Sequence, residues 1–176
     1  DFPKDKDFVG RPRNVIYSRA SEKDDSTVDP RWGRIGKQVI EDRGELGAKR
    51  QEKFDNEVLK LSVDWIKRVH AEGKPFFLWF NPSRMHQEIH VSKEWEGKSG
   101  HTAYADALLH MDWLVGEILN TLDQMRISDN TIVLFTSDNG VNVSHWPNGG
   151  TGSFRGEKGL TWDGGFRVPM LVRWPG

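Results

Sequence analysis

The stretch "AYADALLHMDWLVGEILNTLDQMRISDNTIVLFTSDNG", residues 103 to 140, decides the fold class. Tyr104, Leu108, Met111, Val115, Ile118, Leu122 and Met125 recur at steps of four and three, the spacing of one face of an α-helix. A coiled coil would show this spacing too. Here, however, the pattern stops after three heptads, and Ser128, Asp129 and Asn130 form a turn into Thr131–Thr136, an apolar run suited to a buried strand. A helix packed on a sheet is therefore expected.

Outward from this stretch the same alternation of elements continues. Residues 75–80, "PFFLWF", read as a strand buried on both faces, and Val168–Trp174, "VPMLVRW", as a third strand. Phe54, Val58, Leu61, Trp65 and Val69 predict an earlier helix ending near Gly73. Strand, long helix and strand form a βαβ unit, which pairs parallel strands. The expected class is α/β, a mostly parallel or mixed sheet flanked by helices. Residues 1–50 are rich in Asp, Lys, Arg, Gly and Pro and read as surface loops, with a short extended piece at Asn14–Tyr17.

Composition narrows the function classes. Lys+Arg 25 against Asp+Glu 26 leaves a net charge of −1, with no basic cluster to hold nucleic acid. The absence of Cys excludes disulfides, thiolate metal sites and thiol nucleophiles. No apolar run reaches the roughly 20 residues that span a bilayer. The chain begins at Asp1 and stops directly after a strand-like run, which reads as a piece of a longer protein.

Chemistry is expected beyond the carboxyl ends of the strands. One loop there carries Asn81, Arg84, His86 and His90, and another begins with Asp138-Asn139-Gly140. Asp and Asn side by side offer hard oxygen donors for Ca²⁺ or Mg²⁺, yet Asp-Asn-Gly is equally a common turn, and the residues alone leave both readings open. The run from Gly140 to Gly165 holds eight glycines, so its backbone can approach an anion, although its spacing is neither a P-loop nor a dinucleotide fingerprint. Lys158, between Gly156 and Gly159, is a candidate point charge for an anionic substrate, and His86 a candidate general acid or base. As isolated residues, a lone Lys is normally solvated surface and a single loop His more often a surface or hydrogen-bonded structural residue. His145 and Trp146 are placed to line a pocket.

"TIVLFTSDNG", "FRGEKGLTWDGGFRVPMLVRWPG" and "GKPFFLWFNPSRMHQEIHVSKEWEG" resemble the type I sulfatases of the alkaline phosphatase-like superfamily, over about Gln38–Gly176. The resemblance implies that residues 38–176 are the central part of a sulfatase catalytic domain, with 1–37 a loop-rich segment of the same domain. It implies that Asp138 and Asn139 are metal ligands, usually to Ca²⁺, that Lys158 binds the sulfate group, and that His86 contacts the ester and assists the leaving group. It further implies a sulfated small molecule or glycan as substrate and a periplasmic or secreted setting. The family nucleophile, a formylglycine made from Cys or Ser in a C/S-x-P/A-x-R motif, has no match here and is expected on a preceding segment. "NPSR" at 81–84 only mimics that motif, and Asp24-Asp25 follows no strand pattern that would make it the preceding Asp-Asp pair that supplies the family's other metal ligands. Two alternatives stand beside a sulfatase: a phosphodiesterase or phosphonate hydrolase of the same superfamily, and a non-catalytic chain that binds a sulfated ligand.

Overall fold

A computed structural model of the chain describes residues 14–30, 33–86, 89–150 and 152–175. Residues 1–13, part of the segment expected as loops, lie outside the described residues, as do Gln87 and Glu88 of the His86 loop. The chain divides into two compact units, one ending at Gln51 and one starting at Glu52.

The first unit corrects the expectation of loops, while the extended piece expected at Asn14–Tyr17 is the start of a longer strand. Strands β1 (Asn14–Asp29) and β2 (Gly33–Glu45) form an antiparallel hairpin with register shifts on either side of Asp25. Its side chains are polar and largely exposed, so no hydrophobic alternation announces it. The ladder is supplemented by pairs across the strands. Ser18 Oγ donates to Gln38 Oε1 at 2.6 Å, and Asn14 Nδ2 donates to both carboxylate oxygens of Asp42 at 2.9 and 2.8 Å. Tyr17 lies beneath the guanidinium groups of Arg19 and Arg43. Asp24 pairs with Arg34, and Asp25 accepts from the Thr27 amide, so both carboxylates of the Asp-Asp dipeptide have partners within the hairpin.

In the second unit both expected helices are present: α1 (Ala48–Ala71), whose first turn lies before Glu52, and α2 (Ala103–Gln124). Helix α1 closes on Gly73 at φ 66°, with Gly73 N donating to His70 O and Lys74 N to Val69 O, the paired C-terminal bonds that glycine permits. Helix α2 opens on Thr102, whose side chain accepts from Ala105 N at 3.3 Å. The buried faces are turned from those expected. In α1 the buried residues are Asp55, Leu59 and Ile66, while Leu61 is exposed; in α2 they are Asp106, Ala107, His110, Leu114, Thr121 and Leu122, while Leu108 is exposed. Each face is shifted by about one residue because it carries polar groups that hydrophobic periodicity cannot count. Asp106, for example, is buried because its two oxygens accept from Gly97 N and Ser99 N, each at 2.8 Å. The Ser99 side chain, as a hydrogen-bond partner, and then those two amides hold its carboxyl below the usual carboxylate range.

Residues 74–80 belong to no helix or strand, and their exposure alternates: Phe76 meets Trp65 edge-on at 5.8 Å, while Phe77 and Trp79 are 83% and 77% exposed, which corrects the expectation of a run buried on both faces. They join no ladder among the described residues, so the parallel pairing expected with residues 131–136 is not formed. A single 3-10 turn at Ser128–Asn130 leads into β3 (Val133–Thr136). Strand β4 (Met170–Arg173) pairs with it antiparallel, from Val133↔Arg173 to Thr136↔Met170, so both strand pairs described are antiparallel. Among the described residues no helix is long and apolar enough to cross a membrane.

Candidate active site

The site begins where β3 ends. Thr136 Oγ1 donates to Pro169 O at 3.2 Å, closing the end of the β3–β4 pair, and Ser137 Oγ donates to Asn139 O at 3.0 Å, turning the chain. Asp138 is exposed at this turn and Asn139 is half-buried. Asn139 Nδ2 donates to Gly140 O at 2.9 Å, which commits the amide nitrogen and leaves Oδ1 as the donor atom for a ligand.

The glycine-rich stretch packs backbone against backbone, quite unlike a surface loop. Gly140 N donates to Gly165 O at 2.9 Å, and a Cβ on Gly140 would stand 1.8 Å from Gly164 O. Gly164 and Gly165 are equally closed to a side chain, and both belong to or flank the short helix α3 (Asp163–Phe166). Lys158 enters through the same packing: its amide donates to Val141 O at 2.9 Å, three residues after Asp138. Gly156 and Gly159, at φ 93° and 87°, supply the left-handed turns on either side of it. Arg155 caps the arrangement with its guanidinium 4.0 Å from the ring centroid of Trp162.

The His86 loop reaches this region through Trp146, whose indole Nε1 donates to His86 O at 3.2 Å. Trp146 packs on Tyr104 at 5.5 Å between ring centroids, and burial raises the Tyr104 phenol above its ordinary pKa. His86 itself is exposed. The segments of His86, Asp138-Asn139 and Lys158 are thus joined by hydrogen bonds and ring packing. The expectation that Arg84 shares that edge is not met: its side chain is buried, between α1 and α2. His145 is exposed, and Trp146 is the aromatic that makes contact with the His86 loop.

Asp138 and Asn139 present a carboxylate and an amide oxygen, the donor types that Ca²⁺ and Mg²⁺ prefer. Among the described residues no group of three or more His, Cys, Asp or Glu side chains gathers around a common point. These two residues therefore fit part of a hard-cation shell of six to eight oxygens.

The comparisons with known proteins agree on one family. The family described as Sulfatase matches residues 5–176. The steryl-sulfatase of Rattus norvegicus is 45% identical over 119 residues, which cover 64% of this chain and 20% of that protein. The N-acetylgalactosamine-6-sulfatase of Canis lupus familiaris is 41% identical over 120 residues, covering 67% of this chain and 23% of that one. Among solved structures, the PsFucS1 sulfatase from Pseudoalteromonas sp. superposes with a TM-score of 0.72 at 32% identity, over 81% of this chain and 28% of its own. The chain thus spans about a fifth of the length of the curated relatives it matches. Its α/β architecture is part of the alkaline phosphatase-like fold, as expected from the sequence. By family match, relatives and fold, the chain belongs to the sulfatases.

Proposed function

We propose that this chain forms the central part of the catalytic domain of a metal-assisted sulfatase and supplies three of its functions: holding the cation, holding the sulfate and releasing the alcohol. The observation that carries the reading is the union of the Asp138-Asn139 turn, the Lys158 segment and the His86 loop in a chain of the sulfatase family. Asp138 and Asn139 hold Ca²⁺, with Mg²⁺ as the alternative ion. When bound, that cation neutralises charge on the sulfate oxygens. Lys158 adds a fixed positive charge between two glycines, where a sulfate oxygen can approach the backbone closely. His86 holds a proton for the bridging oxygen of the departing alcohol. The attacking oxygen is supplied by a formylglycine on a segment preceding this chain.

The names of the relatives, steryl-sulfatase and N-acetylgalactosamine-6-sulfatase, support a sulfated small molecule or a sulfated glycan as substrate. The test is an assay of the full-length protein on 4-nitrophenyl sulfate and bis(4-nitrophenyl) phosphate, before and after chelation. Sulfate-ester turnover that is lost on chelation and restored by Ca²⁺ is expected. Turnover of the phosphodiester alone would replace the sulfatase by a phosphodiesterase. Chelator-resistant binding of a sulfated glycan without turnover would make the chain a binding module.

A further inference from the structure

Behind the His86 loop lies a buried polar cluster that the proposed chemistry does not use. Asp55 on α1 is 0% exposed, Arg84 on the loop is 8% exposed and His110 on α2 is 1% exposed. The Arg84 guanidinium is held along three directions: Nε donates to His110 Nδ1 at 2.7 Å, Nη2 donates to Glu52 O at 2.7 Å, and Nη1 lies 3.7 Å from Asp55 Oδ2. The other Asp55 oxygen accepts from the backbone amide of Ser83 at 2.7 Å, so one carboxylate holds the loop backbone by a hydrogen bond while Oδ2, without a hydrogen-bond partner, faces the arginine at ion-pair distance. His110 pairs through Nε2 with Asn56 Oδ1 at 2.7 Å, and its ring lies flat against Trp95, with 4.8 Å between centroids and 7° between planes. Since Nδ1 accepts from Arg84, the ring proton sits on Nε2 and is donated to Asn56.

We propose that Arg84 is a positioning residue for His86, anchoring the loop to both helices so that the imidazole is presented beside the glycine-rich stretch. The inference rests on the role of His86 given under Proposed function. Immediately after the anchor, Met85 adopts φ 73°, a left-handed conformation that a residue with a side chain takes only when its surroundings enforce it. The enforcing contacts stand on both sides: Ser83 and Arg84 are fixed to Asp55 and His110, and the next carbonyl, His86 O, accepts from Trp146 Nε1. The loop is therefore pinned two residues before His86 and again at His86. Two differently directed N–H groups, Nε toward His110 and Nη2 toward Glu52 O, are what this anchor requires beside the Asp55 charge, and a lysine of equal charge cannot reproduce them. A buried ion pair is weak evidence for stability, whereas fixing one conformation of a loop is a role that such a group suits. The neutral state of His110, whose pKa burial and the Arg84 charge lower to about 4, keeps the acceptor available across the neutral range.

The test uses the full-length protein and a series of aryl sulfates whose phenols span a wide range of pKa. His86 matters most for poor leaving groups, so misplacing it should steepen the dependence of kcat/KM on phenol pKa. Arg84→Lys is expected to lose roughly 100-fold on the poorest leaving group and only a few-fold on the best, the scale of a misplaced reacting group. Combined with His86→Ala it should add little further loss. Should Arg84→Lys fail to fold, His110→Gln, which keeps an acceptor for Arg84, should retain the unaltered slope, while His110→Leu should show the steep one. A uniform loss across the series, matching a smaller folded fraction, would reduce Arg84 to a structural role and overturn the proposal. If the unaltered protein hydrolyses no aryl sulfate, the sulfatase reading itself fails and takes this inference with it.

Discussion

Arginine–carboxylate pairs occur in both units of the chain, in opposite surroundings. On the hairpin, Arg34–Asp24 and Arg19–Glu41 stand in water, with side chains 59% and 50%, and 60% and 40%, exposed. Beneath the His86 loop, the side chains of Arg84 and Asp55 are 3% and 0% exposed, and their closest approach is the longer one, 3.7 Å. The shorter contacts are energetically the weaker. Water screens the hairpin pairs whatever their geometry, whereas the buried pair has no other source of charge compensation.

The largest effect expected from this contrast follows removal of the buried acid. Asp55→Ala leaves the Arg84 charge without its counter-ion and the Ser83 amide without its acceptor, and should cost about 3–5 kcal/mol in urea denaturation. A cost below about 1 kcal/mol would mean that the cluster relaxes toward solvent.

The second effect comes from pH. Burial, together with the charges of Arg84 and Lys98, depresses His110 from its ordinary value of 6.5 to about 4. A depressed histidine is neutral in the fold while the unfolded chain still takes up the proton, so this contribution to stability is complete above about pH 6.5 and lost as pH falls toward 4. At 1% exposure the loss should approach about 3 kcal/mol. Thermal unfolding from pH 7.5 to 4.5 checks it, with His110→Gln expected to flatten the profile. A profile as steep in the variant would assign the acid sensitivity to other groups.

The smallest effect belongs to the hairpin. Asp24→Ala should change stability by less than about 1 kcal/mol, and by still less in high salt. A larger, salt-resistant change would show that the hairpin pairs behave like buried ones.

The same contrast explains what could be read in the sequence. Helices α1 and α2 were legible because their apolar residues repeat at helical spacing, but their buried faces were not. Asp55, Asp106 and His110 look like solvated positions until the distant amides and the guanidinium that meet them are placed. The hairpin was illegible for a related reason: its strands are polar on both faces, so pairing depends on the ladder and on cross-strand contacts. Residues 75–80 show the reverse error. A continuous apolar run was read as a strand buried on both faces, but among the described residues it joins no ladder and its Phe77 and Trp79 are exposed. The candidate site was legible chiefly through the resemblance of its motifs, since Asp138, Lys158 and His86 taken singly match ordinary turns and surface positions. What the structure adds is how their segments meet: Gly140 on Gly165, the Lys158 amide on Val141 and Trp146 on the His86 carbonyl.

If these segments form the sulfate-holding side of a sulfatase site, Lys158 is the residue to probe, because its backbone is fixed independently of its ammonium group. Steady-state turnover of an aryl sulfate by the full-length protein should be compared with that of Lys158→Ala. A loss of kcat/KM on the order of 100-fold or more is expected with the fold intact, the scale of removing one charge-stabilising group. Undiminished turnover in a folded Lys158→Ala protein would contradict it.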